Sequence, residues 1–153
     1  MKRPILILFT VLTVLSVSFI FYNSTQSSKA SNKRSESIAG PVQSVMDPGG
    51  QRSSYNWNVL IRKIAHIAEY FLLGLSLAGL AMLLSKRKMQ ASVGYVLFSA
   101  LFVGVLDEYI QSFIHRTSSI QDVMIDFAGA ACGIFAVYGI YGLYRLHKRK
   151  KGE

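Results

Sequence analysis

Four apolar stretches divide the chain, and each is close to the length that crosses a bilayer. They cover residues 4–22, 64–85, 91–106 and 123–144, and the third continues into a more polar segment that ends near residue 111. A membrane-spanning helix needs about 20 mainly apolar residues. The pattern therefore predicts an all-α fold, an integral membrane bundle of four transmembrane helices.

The same pattern divides the chain into three parts. Residues 1–22 form an N-terminal transmembrane helix, residues 23–58 a polar external loop, and residues 59–153 a three-helix membrane core with a basic cytoplasmic tail. We interpret the first stretch as an uncleaved signal anchor, because it is longer than the apolar region of a usual signal peptide. The alternative is cleavage near Ser28 and Ala30, which leaves three spans.

The 23–58 loop is rich in serine and has too few apolar residues to form a core, so we expect much of it to be mobile. Apolar residues recur at helical spacing within residues 38–46. They predict one short interfacial helix, and Pro41 argues against it unless it is the first residue of the helix. Tyr55 and Trp57 follow just before the second span, where aromatic rings typically mark a membrane interface.

The chain is basic, with a formal net charge of +9. Most cations lie beside apolar stretches, in residues 2–3, 86–88 and 145–151. The positive-inside rule assigns such segments to the cytoplasm, so we predict that both termini are cytoplasmic. This placement indicates the lipid bilayer as the chain's main partner and argues against nucleic acid. The single cysteine, Cys132, cannot form an internal disulfide and belongs to no metal-binding spacing.

Acidic residues are concentrated within or beside the predicted membrane spans, where a bundle with an apolar interior would not carry them. Of the eight in the chain, five lie within or beside predicted spans: Glu69, Asp107, Glu108, Asp122 and Asp126. A charge near the bilayer centre costs at least about 2.5–3.5 kcal/mol. Each of these carboxylates therefore needs a partner, water or a shallow position, and each is a candidate functional residue.

Helical spacing and span direction place these polar turns at a similar height in helices two, three and four. They predict one polar layer, open to the outer face, that could bind a ligand. Its candidate residues are His66, Glu69, Asp107, Glu108, Gln111, Arg116, Asp122 and Asp126. Arg116 is the expected counter-charge for Asp107 or Asp122. The alternative is that paired charges hold three helices in register and bind nothing.

Gly129 and Gly133 are one turn apart in the last apolar stretch. This spacing of small residues is typical of closely packed membrane helices. We interpret both glycines as helix-packing residues.

No compact catalytic motif accompanies the polar layer. The sequence lacks HExxH, GxSxG and a phosphate-binding P-loop. Because no compact ligand motif is present, we predict no metal site, and the sequence leaves catalytic residues and cofactors unassigned. A histidine and carboxylates could carry out acid–base catalysis, so an enzyme stays an open alternative.

The order of these short motifs resembles the VanZ-like family over nearly the entire chain. The matching segments are Arg62-Lys63-Ile64-Ala65-His66 with Glu69-Tyr70, then Asp107-Glu108-Tyr109-Ile110-Gln111, then Arg116, Asp122, Asp126, Gly129 and Gly133; Ser24, Thr25 and Gln26 match a patch after the first helix. The chain departs from the pattern at Asp126, where many members carry Asn. The extra carboxylate argues against a role that requires a neutral amide there.

The resemblance implies a small multi-pass protein of the bacterial cell membrane with a role at the cell envelope. The founding member of the family is associated with resistance to the glycopeptide teicoplanin. Our first hypothesis is an outer-leaflet site that engages a lipid-linked cell-wall precursor or a glycopeptide. The alternatives are a membrane-embedded enzyme acting on a lipid or lipid-linked sugar, and a structural assembly factor.

Overall fold

The computed structural model describes residues 2–47, 49, 53–85, 89–114 and 118–151, and these residues form an all-α bundle. Its helices are α1 (Lys2–Ser24), α2 (Ser28–Met46), α3 (Ser54–Leu84), α4 (Met89–Phe113) and α5 (Ile120–Lys150). Four of them are long and apolar enough to cross a membrane, over Arg3–Ser24, Tyr55–Leu84, Val93–Phe113 and Ile120–Lys150. The prediction of an all-α bundle with four membrane spans is therefore confirmed. The side on which the termini lie stays a prediction.

Helices α3 and α5 form the most extensive packing contact of the bundle. Glycines on both helices make their close approach possible. A Cβ atom on Gly129 would lie 2.7 Å from the carbonyl oxygen of Ile67, and one on Gly133 would overlap the carbonyl oxygen of Phe71. Gly74 faces the carbonyl oxygen of Ala130 in the same way. No larger residue fits at these contacts, so the two backbones are held in one register.

The apolar core lies between these two helices and their neighbours. Its largest fully buried side chain is that of Tyr70. The remaining core residues are Ile20, Leu73, Ala78, Val96, Ala100, Ala130, Ile134 and Tyr138. Helix α1 packs on α3 and α4, and most of its large apolar side chains are exposed, as expected for a helix that faces lipid.

Helix α2 corrects our view of the 23–58 loop. The predicted short helix is wrong in length, because α2 has 19 residues and continues through Pro41, which lies inside it. The helix packs on α3 through small residues: Ser35 and Ala39, one turn apart, are both buried. A contact made by small residues leaves no large apolar stripe in the sequence, which is why periodicity predicted only its second half.

Asp47, the residue directly after α2, is also bonded to α3. Trp57 is 6% exposed, and its indole N–H donates to the carboxylate of Asp47 over 3.4 Å. The ring is therefore packed within the protein, between the end of the loop and the first turn of the second span.

Candidate functional site

The polar turns of four helices meet at one end of the bundle, which we call the polar end. It is the end where α1 and α4 finish and α3 and α5 begin. The buried polar side chains that α4 and α5 contribute there are Asp107, Glu108, Gln111 and Asp126. Asp107 and Asp126 are 0% and 1% exposed, so bulk water hydrates neither carboxylate.

His66 on α3 faces Asp126 on α5. The distance from His66 Nδ1 to Asp126 Oδ1 is 3.5 Å. His66 directly precedes Ile67, whose backbone touches Gly129, and Asp126 is one turn before that glycine. The close glycine contact between the helices therefore brings this pair together.

Asp107 on α4 is held by a residue one turn further along its own helix. Gln111 Nε2 donates to Asp107 Oδ2 over 3.2 Å. The other carboxylate oxygen, Oδ1, is buried without a hydrogen-bond partner, and so are Asp126 Oδ2 and the hydroxyl of Tyr70. The Tyr70 hydroxyl is close enough to Asp107 to interact with it, although the two make no hydrogen bond of standard geometry.

Glu108 connects α4 to the start of α5. Its Oε2 accepts a hydrogen bond of 3.0 Å from the backbone N–H of Ser119, the N-cap residue of α5. The Ser119 hydroxyl oxygen in turn accepts from the N–H of Gln121 over 3.1 Å. The first N–H groups of a helix lack partners within it, so these contacts stabilise the beginning of α5.

Asp122 lies in the first turn of α5 and makes a looser pair with Lys63 on α3. Lys63 Nζ and Asp122 Oδ1 are 3.8 Å apart, and both side chains are about 40% exposed. A pair so exposed contributes little to stability. Arg116, the predicted counter-charge for Asp107 or Asp122, lies outside the described residues.

Glu69 joins the second span to the first span and to α2. Its Oε1 accepts from Asn23 Nδ2 over 3.0 Å, and Asn23 Oδ1 accepts from Arg34 Nη1 over 3.2 Å. Sequence reasoning missed Asn23 and Arg34. The available signal was the polar residue at the end of the first apolar stretch.

A cavity of about 180 Å³ opens at the polar end, and we call it the polar-end cavity. It is lined by residues of α3, α4 and α5: Arg62, Lys63, His66, Glu108, Gln111, Ser119, Gln121, Asp122, Ile125 and Asp126. Five of the eight candidate residues from the sequence therefore share one cavity. Glu69 lies instead in a second cavity of about 280 Å³, between α1, α2 and α3, which His66 also lines.

Three of the buried groups could together hold a metal ion. One nitrogen of His66 and one oxygen each of Asp107 and Asp126 all lie within 4.8 Å of one another. The three residues come from three different helices, so they form no motif in the sequence.

The sequence model of the VanZ/LLP1 family matches residues 9–144. This chain belongs to the VanZ/LLP1 family. No curated protein and no solved structure matches it. The family match and the four apolar spans together show a VanZ-like multi-pass membrane protein.

The matched region contains every candidate residue of the polar end. In this VanZ-family protein, the two motifs noted in the sequence face each other across the polar-end cavity. Lys63 and His66 line it from α3, and Glu108 and Gln111 from α4, while Asp122 contributes from α5. Gly129 and Gly133 lie outside the cavity, at the contact of α5 with the α3 backbone.

Proposed function

We propose that this VanZ-family protein binds the headgroup of a lipid-linked cell-envelope ligand in the polar-end cavity. The observation that carries the proposal is the lining of that cavity: Arg62, Lys63 and His66 on one helix face acceptor side chains on two others. A cavity with both cations and acceptors suits a ligand that carries both an anion and hydroxyl groups.

The two halves of the lining match the two parts of a sugar-phosphate headgroup. Arg62 and Lys63 can bind a phosphate, and the fork of an arginine side chain bonds two of its oxygens at once. Glu108, Gln111 and Gln121 can bond sugar hydroxyl groups, which both donate and accept. A lipid-linked cell-wall precursor combines these parts on an apolar chain that the bilayer can hold.

The place of the cavity in the bundle supports a ligand anchored in the membrane. The cavity lies at the ends of three spans, so a headgroup bound there stays close to the membrane surface. The cations of the C-terminal tail follow the opposite end of α5, which assigns the polar end to the outer face under the positive-inside rule. Membership of the VanZ/LLP1 family supports the further proposal of a bacterial cell-membrane protein with a role in glycopeptide tolerance or envelope homeostasis.

A second candidate function is catalysis on the same class of ligand. It is favoured by one observation, that His66 and Glu108 line the same cavity. There His66 would act as the base and Glu108 as the acid. The contact of Glu108 with the N–H of Ser119 favours a third role, in which the cluster is a structural element of a membrane assembly.

Binding can be tested with the purified full chain in lipid nanodiscs, with a polyprenyl-phosphate-linked sugar as the probe and native mass spectrometry as the readout. We expect Arg62→Gln to weaken binding by at least about tenfold, as the loss of a charged hydrogen-bond pair requires. Arg145→Gln is the matched control, because Arg145 is exposed near the other end of α5. Equal binding by wild type and Arg62→Gln would contradict the proposal.

The cellular role has its own test. A Glu108→Lys protein places a cation among the acceptors of the cavity and should lose teicoplanin tolerance. Full tolerance in cells where this variant inserts normally would argue against a role of the cavity in that phenotype. Turnover of the labelled sugar lipid by wild type but not by His66→Ala would establish the enzyme instead.

A further inference from the structure

We propose that His66, Asp107 and Asp126 bind a divalent metal ion beside the polar-end cavity, with Zn²⁺ as the preferred ion. This proposal goes beyond the sugar-lipid ligand and does not depend on it. It also departs from our sequence-based prediction of no metal site. The three ligands are contributed by three helices, and only the fold brings them together.

The spacing of the ligand atoms is close to that of a tetrahedral site. Zinc binds histidine nitrogen and carboxylate oxygen at about 2.0–2.2 Å, which places two ligand atoms about 3.3–3.5 Å apart. The distance from His66 Nδ1 to Asp126 Oδ1 is 3.5 Å. All three ligand atoms lie within 4.8 Å, so a small side-chain movement of about 1 Å completes the site.

A direct hydrogen-bonded ion pair explains the same geometry less well. A charge-assisted N–H···O bond is typically about 2.7–2.9 Å long, clearly shorter than the observed distance. One protonated His66 could also neutralise only one of two buried carboxylates. A divalent cation with a neutral histidine balances both, and it removes the cost of burying two like charges side by side.

The unpartnered atoms at the polar end provide an independent reason to expect a ligand there. Asp107 Oδ1, Asp126 Oδ2 and the Tyr70 hydroxyl are buried and have no hydrogen-bond partner. Buried polar atoms without partners are rare in native proteins and usually mark a bound water or ion. The Tyr70 hydroxyl lies close to the Asp107 carboxylate but makes no hydrogen bond of standard geometry with it, so both groups can accept a further partner at this place.

The surroundings of the three residues resemble those of known metal sites. Gln111 donates to the second oxygen of Asp107 and fixes the orientation of that carboxylate, as outer residues commonly do for metal ligands. His66 and Asp126 also line the polar-end cavity. A metal held by three protein ligands would keep a fourth coordination position, and a water or ligand in the cavity could reach a metal bound beside it.

The test uses tag-free full-length protein in nanodiscs, stripped with chelator and titrated with Zn²⁺ alone. Metal content per chain and isothermal titration are the readouts. Wild type should bind about one Zn²⁺ per chain, and His66→Ala and Asp126→Asn should weaken binding by at least about tenfold. The matched controls are His147→Ala, at an exposed histidine near the other end of α5, and Asp122→Asn, one turn before Asp126. Both should bind as wild type does.

Thermal unfolding guards against variants that fail to fold. In chelator, Asp107→Asn should be at least as stable as wild type, because it removes one of two buried like charges. Added Zn²⁺ should raise the unfolding temperature of wild type and not of Asp107→Asn. Zn²⁺ binding that is equal in wild type, His66→Ala and Asp126→Asn would overturn the proposal.

One more variant separates this inference from the proposed sugar-lipid ligand. Arg62→Gln removes a cation of the cavity but none of the three metal ligands, so it should keep full Zn²⁺ binding. Wild-type Zn²⁺ binding without any binding of the sugar lipid would leave the metal site standing and remove only the proposed function.

Discussion

The Nδ1 atom of His66 lies 3.5 Å from Oδ1 of Asp126 because two helix backbones touch at the next turn. There the glycine at position 129 leaves room for the carbonyl group of Ile67, which a Cβ atom would approach to 2.7 Å. The polar end of this VanZ-family protein therefore depends on apolar packing inside the bundle. Changes to the glycines should disturb the site without altering any of its polar groups.

The first prediction concerns Gly133, where an added methyl group would overlap the backbone of Phe71. Gly133→Ala should destabilise the bundle by about 1–3 kcal/mol, because overpacking forces the two helices apart. Gly139→Ala is the matched control, since nothing lies within 4 Å of its added Cβ atom. Thermal unfolding in detergent measures both, and equal unfolding temperatures would contradict the packing account.

The second prediction separates a structural role of Glu108 from a ligand-binding role. Glu108→Ala leaves the N–H of Ser119 without its acceptor and should cost about 1–3 kcal/mol of stability. Glu108→Gln keeps a carbonyl oxygen at the same place and should be markedly less destabilised. If Glu108→Ala unfolds like wild type but loses the sugar-lipid probe, the residue serves the ligand rather than the start of α5.

The third prediction concerns the contact between the first and second spans. Asn23→Ala removes the donor to Glu69 and the acceptor of Arg34, and should cost about 1–2 kcal/mol. Asn32→Ala is the control, because Asn32 is exposed on α2. Denaturation of purified protein measures the difference. We also predict that α1 stays attached, in which case intact mass should show a chain that is not cleaved near Ser28.

The fourth prediction concerns orientation. In a Cys132→Ser background, an impermeant thiol reagent added outside cells should label Ser118→Cys, because Ser118 is exposed just before α5. It should not label Lys148→Cys in the C-terminal tail, which we assign to the cytoplasm. Labelling of both positions after cell lysis shows that each is reactive. The reverse pattern in intact cells would place the polar end inside.

Much of the fold could be predicted from hydropathy, because the length of an apolar stretch directly reflects the thickness of the bilayer. All four spans were predicted in this way. The beginning of α3 was not, since it starts at Ser54, ten residues before the apolar stretch at Ile64. Its first turns mix polar and apolar residues, so they do not extend the continuous apolar stretch by which the span was predicted.

The composition of the candidate site could be predicted, whereas its pairings could not. Helical spacing assigned His66 and Glu69 to one face of α3, yet their partners are Asp126 and Asn23, on two different helices. Partners depend on how each helix is rotated about its axis, and that rotation is set by close backbone contacts such as those at Gly129. A group drawn from three helices, such as the proposed metal site, has no spacing that a sequence can display.

The central claim is that the polar turns of α3 and α5 face each other within one site. Cysteine cross-linking tests it most directly: His66→Cys with Asp126→Cys, in a Cys132→Ser background, should be joined by a short bifunctional thiol reagent in the membrane. A reagent is used because the tips of the native side chains are 3.5 Å apart and cysteine is shorter than histidine. The control pair, His66→Cys with Phe135→Cys, should not be joined. Phe135 is exposed on α5, more than two turns beyond Asp126. Efficient cross-linking of the first pair alone is the predicted result. No cross-link in the first pair, or equal cross-linking in both, would contradict the account.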